Sequence, residues 1–155
     1  MKQKNNILLY LATLGPIGYL PSPGTLATVV TLPLIWLSAP LSFFMYSLIG
    51  VCLIILSLLL SRYACRLFLS NDPQQVIIDE VMGTWITFWA LPKTWFVLIM
   101  GCVLFRFFDI IKPLGIKRLE RFSGGWGVVL DDAAAGMVSM LVLHLLLWIA
   151  GSYVS

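Results

Sequence analysis

Three polar islands interrupt an otherwise apolar chain, and their residue types suit one kind of chemistry. Asp79-Glu80 lies inside VIIDEVMGTWITFWAL, Asp131-Asp132 closes the stretch RFFDIIKPLGIKRLERFSGGWGVVLDD from 106 to 132, and PSPGT occupies 21–25. The long stretch also holds Arg106, Asp109, Lys112, Lys117, Arg118 and Arg121. Adjacent acids offer hard oxygen ligands, and Mg²⁺ is commonly held by one or two carboxylates while water and substrate phosphate complete its shell. Lys and Arg hold charge on the equatorial oxygens of a phosphoryl group in transfer. Acids for a cation beside bases for a phosphate therefore point to metal-assisted phosphoryl chemistry.

Each piece also has a plainer reading. Asp131-Asp132 ahead of Ala-Ala-Ala-Gly suits a helix N-terminus, where acids are favoured by the cap and the dipole. Arg106 and Asp109, spaced i, i+3, suit a structural ion pair, since charges in apolar helices tend to pair. Ser123-Gly-Gly-Trp-Gly127 reads as a flexible turn or as a phosphate cradle. Lys117, Arg118 and Arg121 suit lipid-headgroup anchors, and His144, about 18 Å along a helix from Asp132, suits a bundle-facing position. Asp79-Glu80 has the weakest plain account, because neither a cap nor a partner in its own helix explains it.

The elements that must position these groups are membrane helices. With 155 residues, 60% hydrophobic, 11% charged and a mean hydropathy of +0.97, the chain lies far from the roughly 25% charge of soluble domains. A net charge of +3, broken up by apolar segments, argues against nucleic acid and for a lipid surface. Cys52, Cys65 and Cys102 show neither disulfide nor zinc spacing. The N-terminal MKQKNNILLYLATLG has the start of a signal peptide without a clear cleavage site, and is expected to begin the membrane chain instead.

Residues 7–20, broken by Gly15, Pro16 and Gly18, are too short to cross about 30 Å of hydrocarbon and read as re-entrant or interfacial. PSPGT is a turn with Thr25 as cap of the next helix, Leu26 to Ser38, in which Pro33 predicts a kink. Leu41 to Leu60 is the clearest span, with Arg62 and Arg66 anchoring its end. Asn71-Asp72-Pro73 stops that helix. Val76 to Leu91, Thr94 to Ile111 and Ala133 to Ala150 follow, with Leu91-Pro92-Lys93 as a hairpin.

The expectation is an all-α polytopic bundle forming a single domain over 1–155, with about four spanning helices and a re-entrant or interfacial N-terminal segment. With Lys2 and Lys4 cytoplasmic, threading the runs in turn leaves only Lys93 outside among the basic residues, as the positive-inside tendency asks. The basic residues alone fix that threading, and it puts Asp79, Glu80, Asp109, Asp131 and Asp132 on one side of the membrane, the cytoplasmic side.

IIDEVMGTWITFWALP, FRFFDIIKPLGI, GGWGVVLDDAAAG and the early PSPGT, in the same chain order as in the family and covering about 15–136, resemble the motifs of the phosphatidylglycerophosphatase A family. Gly115, Ala27, Thr28 and Val129 depart from the family's usual residues, and none of these departures removes a charged group. The resemblance implies an Mg²⁺-dependent bacterial inner-membrane phosphatase that turns phosphatidylglycerophosphate into phosphatidylglycerol. Carried onto this chain, it implies a cytoplasmic rim with Mg²⁺ on Asp79, Glu80, Asp131 and Asp132. Arg106 and Lys112 then take the phosphate, and Asp109 orients Arg106, acts as base or joins the metal shell; on the reading of the residues themselves, Lys117 is a further phosphate ligand and Thr25 a further substrate contact. Anionic membrane lipid is the expected surrounding partner. A second class remains, a small cation transporter or channel with Asp79-Glu80 as ion site; against it stand the lack of an internal repeat and the clustering of acids at one face.

Overall fold

The computed structural model describes residues 7–151, so Lys2 and Lys4 lie outside the described residues. Within them the chain is helical and no strand is present. Six α-helices follow in order: α1 Ile7–Ala12, α2 Pro23–Leu37, α3 Phe43–Phe68, α4 Ile78–Thr87, α5 Trp95–Ile111 and α6 Trp126–Ile149, with short 3-10 turns at Ile17–Tyr19 and Ile116–Arg121.

α3 and α6 are long and apolar enough to cross a membrane, by length and composition. Only 17% of the most apolar window of α3 is buried, unlike the core helix of a soluble protein. Phe43, Phe44, Ile55 and Leu59 on α3 and Ile99, Val103 and Phe107 on α5 are exposed. Such a broad apolar surface suits lipid better than water, as a membrane protein requires.

α4 differs from the expectation. It covers only Ile78–Thr87, ten residues or about 15 Å, and not the whole run from Val76 to Leu91. Every residue of α4 is buried except the half-buried Glu80, so this short helix is the axis on which the other elements pack. Its small and hydroxylated residues permit that. Thr84 and Thr87 return their hydroxyls to the carbonyls of Glu80 and Gly83 at 2.6 and 3.0 Å, and Ser57 of α3 donates to the Ile78 carbonyl at 3.0 Å. These three hydroxyls are thereby satisfied within the apolar contacts, whereas Ser61, one turn further along α3, is buried with its hydroxyl unpartnered.

Three other boundaries move. α3 runs on through Arg62 and Arg66 to Phe68, where Leu69 in left-handed conformation ends it. α6 begins at Trp126, seven residues before Ala133, because Gly124 and Gly125 turn the chain with φ of 72° and 85°. Ser22, not Thr25, occupies the N-cap position of α2; Pro23 takes the first helical position and Thr25 the third, and Pro33 sits inside the helix without ending it. Residues 7–20 form α1 and a 3-10 turn, neither of spanning length.

Candidate active site

The site is made by close approach of α4 and α6. A Cβ on Gly136 would stand 2.4 Å from the Gly83 carbonyl oxygen, and one on Gly83 would stand 2.8 Å from the Asp132 carbonyl oxygen. Only glycines let the two backbones touch here. Asp79 lies four residues before Gly83 and Asp132 four before Gly136, so each acid sits one turn along the contacting face of its helix. The crossing thereby sets the two carboxylates opposite each other, and one oxygen each from Asp79, Glu80 and Asp132 falls within 4.8 Å of the others.

Asp131 and Asp132 are the sixth and seventh residues of α6, whose N-cap is Gly125, so they are not capping residues. Both are buried, at 3% and 4% exposure. The structure brings three of the four acids expected at the metal into one cluster and takes Asp131 elsewhere: Lys112 Nζ donates to Asp131 Oδ2 and, at 2.8 Å, to Glu120. Burial alone would lower the Lys112 pKa, but the hydrogen bonds to Asp131 and Glu120 outweigh it and hold the ammonium above the ordinary lysine value. Lys112 adopts left-handed φ of 49° as it ends α5, which turns its side chain back toward α6.

α5 supplies the remaining charge. Arg106 Nη1 donates to Asp109 Oδ2 at 2.5 Å, the i, i+3 pair expected from the sequence. Above them lies the first turn of α2. A Cβ on Gly24 would come within 2.2 Å of Glu80 Oε1 and 2.9 Å of Arg106 Nη1. The PSPGT turn is thus the ceiling of the site, and Gly24 is required by space, since its backbone lies directly on two site side chains. The first turn of a helix leaves N–H groups without intrahelical acceptors, and Gly24 and Thr25 of that turn line the cavity.

Together these elements enclose a cavity of about 430 Å³ lined by Gly24, Thr25, Asp79, Glu80, Arg106, Asp109, Lys112, Asp131 and Asp132. Asp79 Oδ2, Glu80 Oε2 and Arg106 Nε are buried and have no partner among the described residues. An unsatisfied buried polar group costs about 1–3 kcal/mol, more when charged, so three at one place mark a site built for something else. Hard, clustered carboxylate oxygens fit a cation such as Mg²⁺, and a free guanidinium N–H beside them fits a phosphoryl oxygen.

Sequence reasoning missed Asp72 and Gln74, which also line the cavity. In sequence, Asp72 reads only as part of a helix stop. Partial burial raises its carboxyl above the ordinary aspartate value, against the pull of Lys112 and with Glu120 and Asp109 adding to the rise. Lys117, expected at the phosphate, does not line this cavity; it lies in a neighbouring basic concavity that shares Lys112. His144 does not line this cavity, and its Nδ1 lies 2.9 Å from the Met140 carbonyl oxygen.

The sequence matches the family model for phosphatidylglycerophosphatase A over residues 10–147. It is 32% identical over 124 residues to a phosphatidylglycerophosphatase A of Escherichia coli, covering 79% of this chain and 72% of that one. It is 29% identical over 160 residues to the Haemophilus influenzae protein of the same name, covering 90% and 94%. A Bacteroides thetaiotaomicron protein, provisionally named a phosphatidylinositol-3-phosphatase, is 42% identical over 85 residues, covering 52% of this chain and 53% of that one. No solved structure matches.

Proposed function

The chain belongs to the phosphatidylglycerophosphatase A family, a family of phosphatases, and from that premise we propose that it hydrolyses the terminal phosphomonoester of phosphatidylglycerophosphate to give phosphatidylglycerol and phosphate. The observation that carries this reading is the set of three unpartnered buried atoms, two on acids and one on Arg106, facing one cavity.

We assign Asp79, Glu80 and Asp132 to an Mg²⁺ ion, whose chemistry when bound is to neutralise charge on the phosphoryl oxygens. Arg106 holds the phosphate through its free Nε, and Asp109 fixes the guanidinium plane by engaging Nη1. The backbone N–H groups of Gly24 and Thr25 face the same phosphate from above. Hydrolysis makes one P–O bond from water and breaks the P–O bond to glycerol. The proton released by water goes to a carboxylate and from it to the leaving glycerol oxygen, and Asp109 suits this because only its Oδ2 is tied to Arg106. Lys112 balances the buried Asp131, so the acid cluster is not burdened by a fourth unpaired charge.

The membrane placement follows the same reading. We place the cavity at the cytoplasmic face of a bacterial inner membrane, with α2, α4 and α5 completing a polytopic bundle around the spans α3 and α6. Phosphate release from the lipid by purified protein, stopped by chelator and restored by Mg²⁺, tests the whole account. Turnover that persists in excess chelator overturns the metal assignment. Cation flux in liposomes with no phosphate release would favour the transporter class instead.

A further inference from the structure

Beside the acidic cavity lies a second concavity of about 610 Å³, lined by Lys112, Gly115, Lys117, Arg118, Glu120 and Arg121. Lys112 is a wall of both. Its charge is already answered by Asp131 and Glu120, which are its two recorded partners. Lys117, Arg118 and Arg121 take part in none of the ion pairs found among the described residues. The second concavity therefore carries three uncompensated positive charges, and its one carboxylate, Glu120, is occupied by Lys112 at 2.8 Å.

Apolar side chains flank it in the chain. Leu114, which lines it, is 82% exposed, and Phe122, next to Arg121, is exposed too. Cations flanked by exposed aromatic and aliphatic side chains fit the boundary between headgroups and acyl chains. The turn that creates this arrangement is a tight one, with positive φ at Lys112, Leu114 and Gly115, and it places residues 116–121 next to the cavity and not away from it.

Resting on the reading of the acidic cavity given above, we propose that this concavity is a subsite for the phosphodiester of the same lipid whose phosphomonoester enters that cavity. The two phosphates of such a lipid sit on the two ends of one glycerol. A protein that binds them together needs two adjacent anion sites of different character: one with acids for a cation and an arginine, where chemistry occurs, and one of net positive charge, where it does not. The two concavities joined at Lys112 have that division. Arg118 and Arg121 offer planar, multi-donor contacts to a diester, and the remote binding they supply makes the subsite a specificity determinant. A lipid with one monoester phosphate and no diester would leave the basic concavity unfilled.

The test uses full-length protein in phosphatidylcholine mixed micelles, so that no other anionic lipid is present. Wild type, Arg118→Gln and Arg121→Gln are assayed for phosphate release from phosphatidylglycerophosphate and from phosphatidate, which has the monoester alone. Where phosphatidate is not turned over, its inhibition constant against the two-phosphate lipid takes the place of its KM. The expected result is a fall of about tenfold in the ratio of kcat/KM, two-phosphate lipid over monoester lipid, appearing in KM. Thermal unfolding in detergent checks that both exposed substitutions leave the fold intact. An unchanged ratio overturns the proposal. So does an equal loss on both lipids, or a stimulation by added phosphatidylglycerol that the variants abolish, because both describe a general headgroup anchor. Wild type inactive on both lipids would refute the phosphatase reading itself, an outcome distinct from an active enzyme whose ratio does not move.

Discussion

The two ends of α4 bury polar side chains in similar apolar surroundings and treat them in opposite ways. At the Trp85 end, every polar group has a partner that closes a loop. Tyr46 donates its hydroxyl to the Trp85 carbonyl at 2.8 Å while Trp85 Nε1 donates to the Tyr46 carbonyl at 3.2 Å, and the two rings stack at 4.4 Å. Lys93 Nζ donates to the Phe88 and Leu91 carbonyls at 2.5 and 2.8 Å and lies 4.3 Å from the Tyr46 ring centroid. At the Asp79 end, Asp79, Glu80 and Arg106 keep buried atoms without partners. The difference separates a polar cluster that holds the fold from one that waits for a ligand. Each end breaks in its own way.

The largest expected effect comes from Asp79→Asn or Asp132→Asn. Either substitution keeps shape and removes a carboxylate from the trio, so phosphate release should fall at least about 100-fold. Apparent melting temperature in detergent should hold or rise, because a buried charge without a partner is removed. Loss of the folded state in the amide variants would assign the acids to structure and erase the contrast between the ends.

Gly24→Ala should come next, with a loss of about 10- to 100-fold, of the size expected when reacting groups are misplaced by an ångström. The new methyl strikes the carboxylate end of Glu80 and the guanidinium of Arg106, both of which can swing, so the fold should survive while the site is displaced. Because the displacement affects cation ligand and phosphate contact together, the Mg²⁺ concentration for half-maximal activity should rise with KM. A fully active alanine variant would show that α2 does not close on the site.

Lys112→Met should cost less activity, about tenfold, since Lys112 acts by holding Asp131 and Glu120. Its pH signature is more specific. The folded-state pKa of Lys112 lies above the ordinary value, so its contribution to stability is complete below the unfolded lysine pKa and is lost as pH rises through the folded one. Wild type should therefore lose stability at strongly alkaline pH by a component that the methionine variant lacks. Parallel alkaline melting curves for the two proteins would sink this role for Lys112.

The acids were legible in the sequence because carboxylates in apolar runs are costly and stand out. Asp79, Glu80, Asp109, Asp131 and Asp132 do line one cavity, and the Arg106–Asp109 spacing gave its ion pair directly. What was hidden depends on tertiary contact. Gly83 and Gly136 look like ordinary small residues of apolar helices until the α4–α6 crossing shows that they set the distance between acids. Asp131 and Asp132 are neighbours in sequence, yet successive residues point about 100° apart on a helix, and only one of them reaches the trio. The length of α4 was overestimated because hydropathy does not distinguish a helix that faces lipid from one surrounded by protein. The early start of α6 was hidden by Gly124 and Gly125, which read as loop but serve as its N-terminal turn.

The smallest effect belongs to the closed end. Tyr46→Phe removes a hydroxyl that reaches only the Trp85 carbonyl, leaving the ring stack and the Trp85-to-Tyr46 bond in place. One neutral buried hydrogen bond contributes about 1 kcal/mol, which for a chain of this length corresponds to roughly 2–4 °C in melting temperature. Activity should be unchanged, since Tyr46 packs at the opposite end of α4 from the acids and lines no part of the acidic cavity. The informative measurement is the pair of values, melting temperature and kcat, taken beside those of Asp79→Asn: stability should move in one variant and turnover in the other. If Tyr46→Phe lowers kcat as far as its stability loss would leave protein unfolded at the assay temperature, the effect is only folding. A larger drop in kcat with the melting temperature unmoved would mean that the two ends of α4 are coupled, and that the closed cluster tunes the open one.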